Sequence, residues 1–224
     1  MGESKLIKRA SLRIAALFVG FVMVSPLALA EPSDDYLAGL KSFQDGDVVG
    51  AMAPLRTAAK AGHSKAQVLL AEILDRSEFD EEAVALYRQA ADQGDPDGMF
   101  GLGAMIAAGE GVKAKDPLEG RLWIQRAAEK GQRQAVNVIA QAYLKGELGF
   151  SGADRMTPIA LHWVKLAAEN DYLPAIDALI VAYSKGELLA VTPSPALVEQ
   201  CQMQANKIRN IDPAKAKKRP RKVS

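Results

Sequence analysis

Two histidines and one cysteine are the side chains here best suited to nucleophilic or acid–base work, and their settings argue against both. A cysteine nucleophile needs a base to make its thiolate, and no residue can be nominated for Cys201. Its flanks, Val198-Glu199-Gln200 and Gln202-Met203-Gln204, read as one helix with the thiol as a structural group. His63 follows the turn residue Gly62, where a surface imidazole is ordinary, and His162 neighbours Trp163 on a helix. The acidic pairs Asp34-Asp35 and Glu81-Glu82 open helices, where the macrodipole favours carboxylates. Gly101-Leu102-Gly103 and Gly109-Glu110-Gly111 are glycine-rich, but no strand precedes them to make a phosphate loop. Nothing supplies a triad, a metal cluster or a cofactor cradle, so the expectation is a non-enzymatic protein with no cofactor.

The elements that carry these residues repeat. Thr57–Ala66 aligns with Gln89–Gly98, Arg126–Ala135 and Leu166–Ala175, and the first alanine of each Ala-Ala pair falls at 58, 90, 127 and 167. Self-similarity at a period of about 35 residues is the signature of stacked repeats. Adjacent alanines near a helix end let a neighbour approach closely. Gly62, Gly94 and Gly131 then stand where a helix ends in a left-handed residue. Asn170-Asp171 replaces glycine in the fourth copy. The next helix places Ala135, Ile139, Ala140, Tyr143 and Gly146 at offsets of zero, four, five, eight and eleven, and Ala175, Leu179, Ile180, Tyr183 and Gly186 repeat it. Gly98, Leu102, Gly103, Ile106 and Gly109 follow the same pattern, and Ala66, Leu70, Ala71 and Leu74 follow it more loosely. Those offsets lie on one helical face, so each helix has a stripe to bury.

Ten helices are expected, at 34–44, 48–61, 64–75, 80–93, 97–108, 117–130, 133–145, 158–170, 173–185 and 195–208. Asp116-Pro117, Thr157-Pro158 and Ser194-Pro195 mark three starts, each a capping side chain before a first-turn proline. With 49% hydrophobic but only 6% aromatic residues, alanine and leucine must do most of the packing. Trp123, among Leu122, Ile124 and an alanine pair, is expected to be buried between the third and fourth helix pairs.

Gly111-Val112 with Asp116, Trp123 with Ala127-Ala128, and Trp163 with Ala167-Ala168 complete a pattern that resembles Sel1-like repeats, relatives of tetratricopeptide repeats. The resemblance covers roughly residues 35–208. The first two copies lack the tryptophan, and the last lacks the alanine pair. It implies an all-α, right-handed solenoid of about five antiparallel pairs, whose first helices line a concave groove for a protein segment. Carried over from the related tetratricopeptide pattern, the groove positions are Val68, Glu72, Phe100, Ala104, Asn137, Gln141, Lys145, Asp177, Val181 and Lys185. Asparagine and glutamine there would hydrogen-bond an extended backbone, and Lys145 and Lys185 would attract acidic groups. The alternative is that these are ordinary solvated positions. Phe150, in the longest intra-pair loop, either meets a ligand or folds back over its neighbour.

The ends differ from the body. Lys5, Lys8, Arg9 and Arg13 precede an apolar run from Ile14 to Leu29, and Ala28-Leu29-Ala30 offers a signal-peptidase site before Glu31. Residues 1–30 therefore read as a signal peptide, 31–211 as the solenoid and 212–224 as a basic tail. The protein is expected to be periplasmic or secreted; the alternative is an uncleaved membrane anchor. The leader holds four basic residues and one acidic, so of 28 basic and 27 acidic in all, the remainder is near −2. Six more basic residues lie in the tail, which leaves the body near −8. The tail can reach an anionic surface, fold onto the acidic body, or serve as a disordered solubiliser. An exported chain has no use for a nucleic-acid-binding reading. Three functions remain: an adaptor for another envelope protein, a regulatory or structural subunit of an envelope machine (signalling, motility or polysaccharide secretion), and a glycan-binding cell-wall accessory.

Overall fold

The computed structural model describes residues 34–210. The expected leader with its Ala30–Glu31 cleavage and the basic tail at 212–224 lie outside the described residues. The described residues form α1 (Asp34–Gln44), α2 (Val48–Lys60), α3 (Ser64–Asp75), α4 (Asp80–Asp92), α5 (Pro96–Ala108), α6 (Pro117–Glu129), α7 (Arg133–Lys145), α8 (Pro158–Glu169), α9 (Leu173–Lys185) and α10 (Pro195–Ile208). A 3-10 turn at Asp154–Met156 is the one element the sequence pattern did not suggest. There is no strand among the described residues.

Local chemistry sets the boundaries. Asp116 accepts from the N–H groups of Leu118 and Glu119 at 3.0 and 2.9 Å, and Thr157 and Ser194 cap α8 and α10 in the same way. Gly62, Gly94 and Gly131 take φ of 88°, 86° and 83°, and Asp171 takes 61° in the copy without glycine. Those left-handed residues reverse the chain so that the next helix runs back along the last.

The expected stripes are the core. Ala135, Ile139 and Ala140 are wholly buried, as are Ala66, Ala71, Leu102 and Ala175. Each helix packs on its neighbours in sequence, and α1–α3, α3–α5 and α7–α9 also touch directly. The odd helices thus form one layer, closer together than the even ones, which makes their side the inner face. Between α5 and α7 that layer opens.

Packing is closest within the third pair. A Cβ on Gly103 would lie 2.7 Å from the Gly120 carbonyl, and one on Gly120 would lie 2.6 Å from the Gly103 carbonyl. The backbones of α5 and α6 therefore meet with nothing between them. In the fourth pair, Ala140 and Ala160 hold the same places, both fully buried.

Trp123 departs from expectation. It is only half-buried, packed at the edge of the core, with the Arg126 guanidinium 4.7 Å from its ring centre, and Leu122 beside it is exposed. Trp163, at the equivalent place in α8, is the buried tryptophan, at 6% exposure. Sequence neighbours misled here because Leu122 turns outward to solvent instead of into the core.

Candidate functional site

The inner face carries two adjoining depressions that share Phe100 and Ala104 of α5. The first, about 170 Å³, is lined by Glu72 and Asp75 from α3, Tyr87 from α4, Asp97 and Gly101 from α5, and Gln132 and Gln134 at the start of α7. The second, about 330 Å³, occupies the opening between α5 and α7. Ile124 of α6 lines it together with Ala107, Val138, Ala142 and Leu148, and Gln141 and Glu147 supply its polar groups.

The first depression is acidic. Burial pushes the Glu72 carboxyl above its usual range; Arg76 opposes this, while Asp97 and Asp75 add to it. Burial also raises Asp75, helped by Asp80 and opposed by Arg76. The Tyr87 hydroxyl is driven well above its ordinary range by burial and then by Glu72 and Asp75. Gly101 makes room for that ring, since a Cβ there would sit 2.4 Å from Tyr87 Cε1. Asp97 is the partly neutralised member, because Lys65 Nζ lies 2.8 Å from its Oδ2. Neither Glu72 nor Asp75 is in an ion pair with any described residue.

Beneath this lip a polar seam joins successive repeats. Lys65 and Ser64 donate to buried Asp95, which also caps α5 through Asp97 N–H at 2.9 Å. Burial alone would raise Asp95, but those partners outweigh it and hold the carboxyl low. The buried Gln67 amide donates to Ala59 O at 3.1 Å and to Gln89, and accepts from Gln93 at 2.7 Å. None of these links was read from the sequence.

On α7, Asn137 Oδ1 is a buried acceptor without a donor among the described residues. One turn later Gln141 accepts a hydrogen bond from the Tyr172 hydroxyl through Oε1, which leaves its amide N–H groups as donors at the second depression. Tyr172, half-buried at the start of α9, is thus a support for Gln141 rather than an exposed aromatic.

The structure therefore gathers Glu72, Phe100, Ala104 and Gln141 at the two depressions, with Asn137 on the α7 face that carries Gln134 and Gln141. The remaining expected positions lie outside the two depressions. Val68 is buried in the core, at 7% exposure. Asp177 is held at 2.7 Å by Arg209, just past the end of α10, so its carboxylate is already taken. Lys145 lies 3.9 Å from Glu147 and is exposed, as are Val181 and Lys185. Phe150 folds back: its ring stacks on Tyr143 with centres 3.8 Å apart, and Arg121 lies 4.5 Å from its centre. An aromatic at a loop tip gains more from that stack than from projecting into water.

The two histidines and the cysteine lie apart from the two depressions. His63 caps α3, with Nδ1 accepting from Ala66 N–H at 3.2 Å, and stacks on Tyr36. His162 is exposed and meets the Trp163 ring edge-on. Cys201 is half-buried, and burial raises its thiol. A wider depression of about 600 Å³, lined by Glu78–Glu82, Gly111 and Val112, lies at the start of α4. Its carboxylates complement that helix end, and Arg56 pairs with Glu82.

Comparison with known proteins agrees with this architecture. The Sel1 repeat family matches residues 80–95, 96–132 and 134–172. A Sel1 repeat protein from Oxalobacter formigenes is 26% identical, with a TM-score of 0.60 over 76% of this chain and 69% of that one. A protective antigen of uropathogenic Escherichia coli displaying an SLR fold is 27% identical, with a TM-score of 0.67 over 80% of this chain. The likeness spans 38% of that antigen, well under half its length. No curated protein matches the sequence.

Proposed function

We propose that this chain, an all-helical solenoid of which three stretches match the Sel1 repeat family, is a non-enzymatic adaptor of the bacterial envelope that holds a segment of another protein along α3, α5 and α7. The observation that carries this reading is Asn137. A buried acceptor left without a donor costs stability, and a rotation of the Asn137 side chain towards the groove would relieve that cost by taking a backbone N–H of the bound segment. Gln141, fixed by Tyr172, offers amide N–H groups one turn away to a backbone carbonyl. Successive turns of a helix place side chains about 6 Å apart, close to the roughly 6.6 Å between alternate residues of an extended chain. An extended segment can therefore engage both.

The leader motif supports placement beyond the inner membrane, with the mature protein starting at Glu31. N-terminal sequencing of the protein recovered from cells checks this: a species that still carries Met1 would overturn it. Crosslinking in intact cells with mass spectrometry tests the groove. Asn137→Ala with Gln141→Ala should abolish recovery of the partner while the helical content is kept; undiminished crosslinks would sink the groove reading. A role as the regulatory or structural subunit of an envelope machine predicts one stoichiometric partner in the same experiment.

A further inference from the structure

Taking the groove as the binding face, we infer that the segment it receives is extended and cationic, with a lysine or arginine two residues from a bulky aliphatic residue. The cation lies against Glu72 and Asp75, and the aliphatic side chain fills the opening between Phe100 and Val138. Three observations on the inner face and the charge of the body support this.

Glu72 and Asp75 converge on one depression, and neither has a base within ion-pair distance among the described residues. Arg76, which caps the end of the same helix, offsets their field, and Lys65 is engaged by Asp95 and Asp97. Carboxylates kept half-desolvated without a partner cost stability, and a cation from outside would relieve that cost. Next to them the second depression is lined by Phe100, Ile124, Val138 and Leu148, an apolar cavity already open without any ligand. Both depressions share Phe100 and Ala104, so their occupants must be near neighbours. In an extended chain, side chains on one face alternate, and residues i and i+2 meet that condition while the intervening backbone faces Asn137 and Gln141. The body of the protein, near −8 without leader and tail, adds long-range attraction for a basic segment.

The chain's own tail is cationic, and its Lys215–Lys222 run holds six bases and no bulky aliphatic residue; Val223, two positions from Arg221, lies just beyond it. The run alone thus offers the charge without the aliphatic side chain.

The test is selection of a displayed random nonapeptide library on the purified full-length protein, read by sequencing. Enriched peptides should carry Arg or Lys two positions from Leu, Ile or Met. A synthetic peptide of that pattern should lose about tenfold in affinity when its base becomes glutamine, or its aliphatic residue serine. Glu72→Lys should reverse the preference towards Asp or Glu at the same position, a gain that misfolding cannot mimic. If selected peptides lack the basic–aliphatic spacing yet still lose binding with Asn137→Ala plus Gln141→Ala, the groove reading stands and this inference fails. If no peptide is enriched, or enrichment ignores every groove substitution, both fail. A synthetic 213–222 peptide, which keeps the six bases and lacks Val223, would show that charge alone governs if it competes as well as the selected one, and would remove the aliphatic requirement.

Discussion

The third and fourth helix pairs are one design built twice, and they close differently. In α5/α6 the crossing is made by Gly103 against Gly120, backbone on backbone; in α7/α8 the equivalent positions are Ala140 and Ala160, both fully buried, and the two helices pack less closely. The third pair connects through a short loop and leaves Trp123 half-covered beneath Arg126. The fourth connects through a longer loop whose 3-10 turn lies on α7 and α8, and its Trp163 is buried. A repeat thus fixes which faces meet, while the residue at the crossing and the length of the connection decide how tightly.

The tryptophans give the sharpest test of that contrast. Trp163→Ala should cost about 3–5 kcal/mol, as a buried aromatic truncation leaves a cavity. Trp123→Ala should cost only about 1–2 kcal/mol, from partial burial and the Arg126 contact. Urea melts of the two variants measure both. Equal losses would break the distinction between the pairs.

The crossing itself comes next. Gly103→Ala must push α5 away from α6, at about 1–3 kcal/mol for overpacking, although alanine is the better helix former. Ala140→Gly in the fourth pair removes a methyl without any clash, so it should cost about 1 kcal/mol, mostly as helix propensity. A Gly103→Ala variant that melts higher than the parent would show that the α5–α6 contact can relax.

The helix starts differ in the same graded way. α5 is anchored by the charged Asp95 with Lys65 and Ser64, α7 by neutral Gln132, and α9 by Tyr172 with no side-chain cap. Asp95→Ala should cost about 1–2 kcal/mol as a lost cap. Because the Asp95 carboxyl is held low in the fold, its contribution is present above the ordinary carboxylate range. It is lost as pH falls through the folded value. Asp95→Asn should therefore flatten the acid side of the stability profile; an unchanged profile would remove the ion pair from the account.

Most of the fold was legible because its determinants are local. Ala-Ala before glycine, a cap before proline and the stripe through Ile139 and Tyr143 each fix a boundary or a face, and every observed helix starts and ends within one residue of expectation. Burial of a single side chain was less legible, as Trp123 shows, since it depends on which neighbour covers it. The groove was half legible. Glu72, Phe100 and Gln141 follow from their place on first helices. Tyr87 comes from a second helix, through space left by Gly101, and Asp177 is claimed by Arg209 from 32 residues away. Repeat spacing records the scaffold but not the side chains that reach across it. Gly101 was the available signal for Tyr87, since a glycine inside a helix invites a close neighbour.

The smallest effect expected is also the one that separates groove from scaffold. Asp95 stabilises the fold as an anion, whereas Glu72 is raised by burial and by Asp97 and Asp75, so its charged form is disfavoured there. Its folded value lies above the unfolded one, so protonation favours the folded state. Stability from this site is greatest in acid and falls as pH rises through the folded value. Glu72→Gln removes the charge and keeps the shape. It should raise the melting temperature slightly at neutral pH, with the gain vanishing in acid, and it should weaken binding of a basic segment. A scaffold residue would lose stability on substitution and leave binding alone, so a drop in melting temperature with unchanged binding would return Glu72 to the scaffold.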